Sequence, residues 1–282
     1  MSWRWAKRFC GVLGVALALG GASGPVAPRR IVSLNTCADG YLIALADPGQ
    51  IAALTRFARD PSLSPAAAQA GRLPMTNGSV EAVLALDPDL VIASPFRAKD
   101  ALAPVEARGA RVVDLPPAID LPSIYANVRR MAAVVGHPAR GEALIARMQA
   151  QMAAIGPPPG HGRTAAYYQR RGYLTGSGSL IDEVIRRVGL VNFATRLGRP
   201  ALSRMPLEAL IAVRPDFVLL DAAATTAPDR SAELLRHPAL DAAVPEGRRL
   251  HLNQALAICD GPYFPIAIAA LARDIRAADR GR

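Results

Sequence analysis

One segment of this 282-residue chain occurs twice. Residues 81–94 read EAVLALDPDLVIAS and residues 208–221 read EALIAVRPDFVLLD. Each copy begins with a helical Glu-Ala turn, passes through Pro-Asp and ends in an apolar run. Each is followed by a second helix end feeding a strand, at Arg108-Gly-Ala-Arg-Val-Val113 and at Glu246-Gly-Arg-Arg-Leu250. Solenoid repeats recur every ~20–50 residues, and this spacing is far longer, so it argues for two lobes of similar build. Two α/β lobes leave a cleft between them, and ligands of such folds sit at the carboxyl ends of the strands.

The remaining periodicity fits that frame. Apolar runs at 30–35, 50–55, 90–93 and 111–115 alternate with helical stretches at 38–46, 80–86 and 99–108, a pattern that predicts parallel pairing through right-handed crossovers. From Leu121 to Ile155 the pattern is helical only, with Tyr125, Val128, Met131, Ala132 and Val135 on one face and Leu144, Ile145, Met148 and Met152 on another. Gly156-Pro-Pro-Pro-Gly160 ends it. Either a rigid connector or two packing helices of the first lobe satisfies this stretch. The second lobe is expected to open with a strand at 164–169. The turn Thr175-Gly-Ser-Gly-Ser179 then leads into a helix at 180–188, and a strand at 249–252 and a last helix at 265–278 follow.

The first two dozen residues read differently. Arg4, Lys7 and Arg8 precede a short apolar run from Gly11 to Gly21, and Gly20-Gly-Ala22 offers small residues for cleavage. This is the pattern of a secretory signal peptide over 1–22, too short to span a membrane. A periplasmic location follows as an expectation. Both tryptophans, Trp3 and Trp5, fall in this leader, and the formal charge of +10 drops by three without it. The positive charge is almost all arginine, only Lys7 and Lys99 being lysines, and no basic run is interleaved with aromatics. Nucleic acid is therefore not an expected partner.

Catalytic signatures are missing: there is no Gly-x-Ser-x-Gly elbow and no P-loop. Thr175–Ser179 lacks the lysine of a phosphate cradle and reads as a helix cap with Ser179 as the capping residue. His137, His161, His237 and His251 are not spaced to share a metal. Cys37, in Asn35-Thr-Cys37-Ala-Asp39, and Cys259, in Cys259-Asp-Gly-Pro-Tyr263, each follow a strand, one per lobe. An inter-lobe disulfide, free thiols and thiolate ligation of a metal-containing ligand all remain open for them. Aromatics and arginines follow other strands: Phe57 and Arg59, Phe96 and Arg97, then Tyr167, Tyr168, Arg170, Arg171 and Tyr173. Aromatic faces suit a large flat ligand, and arginines suit carboxylates or phosphates.

These elements resemble a known family. Arg30-Ile-Val-Ser-Leu34, Gly78-Ser-Val-Glu81 running into Leu86-Asp-Pro-Asp-Leu-Val-Ile92, Gly176-Ser-Gly178 and Arg214-Pro-Asp-Phe-Val218 are similar to segments of the class III periplasmic substrate-binding proteins of ABC importers, the vitamin B12 and ferric-siderophore group. The resemblance implies an α/β fold of two Rossmann-like lobes with parallel sheets, at 28–135 and 158–282, joined by a long rigid helix at 136–157. It implies a monomeric binding protein without catalysis or resident cofactor, which captures a corrinoid or ferric chelate and delivers it to a membrane permease. Haem or another metal complex is the alternative ligand. An exported two-lobed enzyme and a sensory receptor subunit are the alternatives from other classes. The expected ligand residues are Asn35, Cys37, Asp39, Phe57, Arg59, Phe96, Arg97, Tyr168, Arg170, Tyr173, Asp221, Cys259 and Tyr263. Asp100 and Glu233 are the expected permease-docking acids. B12 binders of the group use cleft tryptophans, and none follows the leader here.

Overall fold

The computed structural model describes residues 27–96, 99–222 and 230–281. The expected leader, with Cys10 and both tryptophans, lies outside them. The first sheet contains β1 (Ile31–Ser33), β2 (Ile51–Thr55), β3 (Met75–Thr76), β4 (Leu90–Ala93) and β5 (Arg111–Asp114) in the order β3-β2-β1-β4-β5. All of its pairings are parallel. Helices α1 (Thr36–Leu45) and α2 (Val80–Ala85) connect strands of this sheet. The central strands β1 and β4 are buried along their whole length, which is why they read as unbroken apolar runs rather than alternating ones.

Two helices follow, α3 (Leu121–Val134) and α4 (Pro138–Ala154), packed on each other. Asp120 caps α3 by accepting from the Ser123 amide, and Pro138 stands in the first turn of α4, where its missing N–H costs nothing. The second sheet holds β6 (Thr164–Gln169), β7 (Tyr173–Thr175), β9 (Leu202–Arg204), β10 (Phe217–Asp221) and β11 (Arg249–Leu252) in the order β11-β10-β6-β7-β9, with β8 (Val191–Asn192) also on β6. Helices α5 (Leu180–Arg187), α6 (Leu207–Val213) and α7 (Phe264–Arg280) complete it. Ser179 accepts from the Asp182 amide and caps α5.

The second sheet is mixed, which corrects the expectation of two parallel sheets. β7 runs antiparallel to β6, and β9 antiparallel to β7. The cause is local. Only Arg170-Arg171-Gly172 separates β6 from β7, a link too short for a parallel crossover, which needs a dozen residues or more. Arg171 (φ 58°) and Gly172 (φ 73°) both take left-handed backbone to make the reversal.

The repeated segment has the same job in both lobes. Asp87 (φ 45°) and Arg214 (φ 46°) turn the chain in the left-handed region just before the two prolines. The aspartate after each proline then holds the start of its sheet's first strand. Asp89 accepts from the Arg29 and Arg30 amides at 2.6 and 3.0 Å. Asp216 accepts from the Thr164 amide and hydroxyl, both at 2.8 Å. One apolar core, including Ile31, Leu42, Met131, Leu144, Val184, Phe217 and Leu271, runs continuously from the first sheet through the helices to the second. Smaller clusters cover the outer faces of each sheet.

Candidate functional site

Three cavities follow the carboxyl ends of the strands. The first, about 370 Å³, belongs to the second lobe and is built around the β6–β7 hairpin. Tyr167, Gln169, Arg170, Arg171, Tyr173, Asp221 and Gln254 line it. Neighbouring residues of a strand point to opposite faces, so Tyr167 reaches the cavity while Tyr168 turns into the outer core. There Tyr168 is fully buried and donates to the Met205 carbonyl at 3.1 Å. Tyr168 is thus a core residue, not a ligand contact, and Tyr167 takes the place expected of it. Burial, with Asp221 nearby, holds the Tyr167 phenol protonated far above neutral pH. Asp221 accepts from the Gln254 amide at 3.1 Å, and the Arg204 guanidinium lies 5.5 Å from the centre of the Tyr173 ring.

The second cavity, about 180 Å³, is the corresponding wall of the first lobe. Thr36, Thr55, Arg56, Phe57, Thr76 and Asn77 line it, with the Arg56 guanidinium 4.8 Å above the Phe57 ring. Two expected ligand residues are missing from it. Asp39 is fully buried behind the wall, where it accepts from the Thr55 amide at 3.2 Å and the Thr55 hydroxyl at 2.5 Å. Burial pushes its pKa up to about 6, against hydrogen bonds from Ser33 and Thr55 that pull it down. Arg59 points back into its own loop, donating to the Leu73 carbonyl at 2.7 Å and to that of Ala70 at 3.5 Å. It braces backbone rather than facing a ligand.

The third cavity, about 220 Å³, lies where the lobes meet. Asn35, Cys37, Phe96 and the turn Leu115–Ala118 supply one side, and Ile258 and Asp260 the other. Asn35 caps α1, accepting from the Cys37 and Ala38 amides. Cys37 and Cys259 are joined by a disulfide with their Cα atoms 5.0 Å apart, so a covalent bond crosses from one lobe to the other. Beside it Asp260 accepts from the Tyr41 hydroxyl at 2.8 Å and the Ala118 amide at 2.6 Å. Tyr263 is half-buried at the start of α7, against α1 rather than in a cavity. Its phenol is raised by that burial.

Of the expected ligand residues, the structure therefore gathers Asn35, Cys37, Phe57, Phe96, Arg170, Tyr173 and Asp221 around the three cavities, with Cys259 bonded to Cys37. Arg97 lies outside the described residues. Asp100 and Glu233 are exposed, one per lobe, in the segments that follow the repeated strands β4 and β10. Tyr167 and Arg171 were visible as strand-end aromatics and cations. Arg56, Gln169, Gln254 and Asp260 carried no signal of their own. Among the described residues no three His, Cys, Asp or Glu side chains are placed to hold a metal ion. None of the described helices is long and apolar enough to cross a membrane.

Residues 31–256 match the family described as periplasmic binding protein. The chain belongs to that family. Its members and the structural neighbours named below are binding proteins rather than enzymes. Among curated proteins the chain is similar to the "Cobalamin-binding protein" of Halobacterium salinarum, with 27% identity over 201 residues, 68% of this chain. That stretch is 53% of the relative, so the chain spans about half the length of the curated relatives it matches. Among solved structures it is similar to the periplasmic heme-binding protein RhuT from Roseiflexus sp. RS-1. The TM-score is 0.73 and the identity 24%, covering 89% of this chain and 98% of that one. It is also similar to the periplasmic vitamin B12 binding protein BtuF of Vibrio cholerae. Here the TM-score is 0.65 and the identity 19%, covering 91% of this chain and 100% of that one. These likenesses show the two-lobed fold, with one parallel and one mixed sheet.

Proposed function

We propose that this binding protein is exported, captures a corrinoid or ferric chelate between its lobes, and passes it as a monomer to an ABC permease. The observation that carries the reading is the line of cavities at the strand ends. It combines aromatic area from Phe57, Phe96, Tyr167 and Tyr173 with hydrogen-bonding groups from Asn77, Gln169 and Gln254. A large ligand with a flat or apolar body and a polar rim meets both kinds of surface. The cobalamin-binding relative puts a corrinoid first.

One observation favours a second ligand. Arg170 and Arg171 line the second-lobe cavity, Arg204 stacks on Tyr173, and Arg56 stacks on Phe57 across on the first lobe. Four guanidinium groups near these walls suit a ligand bearing carboxylates, such as haem or an anionic ferric chelate, better than one rimmed by neutral amides. Asp100 and Glu233 are proposed as the permease-docking acids, because each is exposed in the segment that follows the repeated strand of its lobe.

Calorimetric titration of the leader-free protein separates these readings. Saturable one-to-one heat with cyanocobalamin supports the corrinoid. Heat with haemin or a ferric siderophore, and none with cyanocobalamin, moves the assignment to the anionic chelate. The absence of binding to all three overturns the metal-chelate reading.

A further inference from the structure

The segment from Cys259 to Tyr263 belongs to the second lobe by sequence, yet its partners belong to the first. Cys259 is bonded to Cys37, at the start of α1. Asp260 is buried and takes its hydrogen bonds from Tyr41 of α1, from the Ala118 amide and, at 3.5 Å, from Asn127 of α3. Gly261 has φ 114°, and a side chain there would stand 2.9 Å from the Tyr41 ring. The Tyr263 ring lies so close to α1 that a methyl group on Gly40 would come within 3.2 Å of it. Five consecutive residues therefore fasten the lobes by a covalent bond, a buried carboxylate and two close packings. A buried carboxylate is costly to strip of its donors, so this contact does not open and close cheaply.

We infer that this segment is a latch that sets the spacing of the lobes before any ligand arrives. The disulfide and Asp260 are then positioning residues for binding. They hold the first-lobe wall and the second-lobe wall at a fixed separation, and ligands are selected by whether they fit that gap. The inference rests on the reading that the cavities between the lobes bind the ligand. Without the latch the lobes would sample other spacings, and apparent affinity falls by the fraction of time spent in the competent one.

The test compares the native chain with a Cys37→Ser/Cys259→Ser double variant and with Asp260→Asn, each titrated with cyanocobalamin and with haemin. Without ligand, the Ala118 amide should exchange at least about tenfold faster in both variants. Their radius of gyration by small-angle X-ray scattering should exceed that of the native chain and shrink on ligand binding, while the native value stays constant. For whichever probe the native chain binds, affinity should fall roughly tenfold in the variants, with most of the loss in the association rate. If the double variant does not fold, the oxidised native chain is compared with the same chain reduced by a phosphine. Native-like exchange and scattering in the variants overturn the latch, as does unchanged affinity in a chain whose lobes have loosened. If neither probe nor a ferric siderophore binds the native chain, the ligand reading fails, and exchange and scattering still decide the latch.

Discussion

At the start of the second sheet Asp216 accepts hydrogen bonds from the amide and hydroxyl of Thr164, and behind the first-lobe cavity Asp39 accepts the same pair from Thr55. Asp216 is exposed and its carboxyl is lowered, chiefly by the Thr164 amide. Asp39 is fully buried and its carboxyl is raised to about 6, chiefly by loss of water. The hydrogen bonds are alike, so they do not decide the outcome. Burial does, because removing a carboxylate from water outweighs what two donors return. The difference separates two kinds of place in the molecule. The end carrying the repeated Pro-Asp is fastened by solvated, inexpensive contacts, and the cleft end stores its cost in buried charge.

The largest expected effect breaks this comparison at its buried member. The folded-state pKa of Asp39 lies above the ordinary carboxyl value, so the folded protein takes up a proton between pH 3.8 and about 6. Its stabilising contribution is therefore complete below pH 3.8 and is lost as pH rises through 6. Asp39→Asn stays neutral and accepts from the Thr55 amide in the same geometry. Relative to the variant, the native chain should lose up to about 3 kcal/mol between pH 4 and pH 7, two units at ~1.4 kcal/mol each. Urea denaturation of both proteins at four pH values reads this, and parallel curves would remove the buried charge from the account.

A smaller effect is expected at the solvated end. Asp216→Ala leaves the buried Thr164 amide without its partner and should cost about 1–2 kcal/mol. Asp89→Ala, at the matching place in the first lobe, should cost less than about 1 kcal/mol because its two donors belong to exposed arginines. The Asp216 contribution has the opposite pH sign to that of Asp39: present above pH 3.8, it fades as the pH falls through the lower folded value. Neither substitution should change affinity for a bound probe. A change of more than a few-fold would mean that the repeated end communicates with the cleft.

What could be read from the sequence divides along the same line. The repeat, the strands at 90–93, 164–169 and 249–252, and the cap at Ser179 all express local rules, and the structure has them. The cleft was less legible because its residues are chosen by direction rather than by type. Alternation along β6 says that Tyr167 and Tyr168 face apart but not which of the two faces is the cleft, since both sides are buried. Arg56 and Arg59 share one short turn, and only the structure shows that the first reaches a cavity while the second braces backbone. The β6–β7 hairpin was hidden because Tyr173-Leu-Thr175 is too short to register as a strand. The cysteine pair left three chemistries open because its members are 222 residues apart, and nothing local marks Asp260 as their companion.

The smallest effect tests whether the hairpin tip is shaped for binding. Arg171 holds φ 58° and ψ 19°, a region that costs an ordinary residue roughly 1–2 kcal/mol and glycine almost nothing. Arg171→Gly relieves that strain but frees the unfolded chain as well, so the net gain in stability should be below about 1 kcal/mol. The same change removes a guanidinium from the lining of the largest of the three cavities. Affinity for an anionic chelate such as haemin should then fall roughly tenfold, or ~1.4 kcal/mol. Opposite signs for stability and binding are what a residue strained for function produces. Thermal denaturation and titration of the one variant read both signs. A chain that is more stable and binds haemin unchanged would make the left-handed arginine a consequence of the tight reversal alone, leaving Arg170 and Arg204 to supply the charge of that wall.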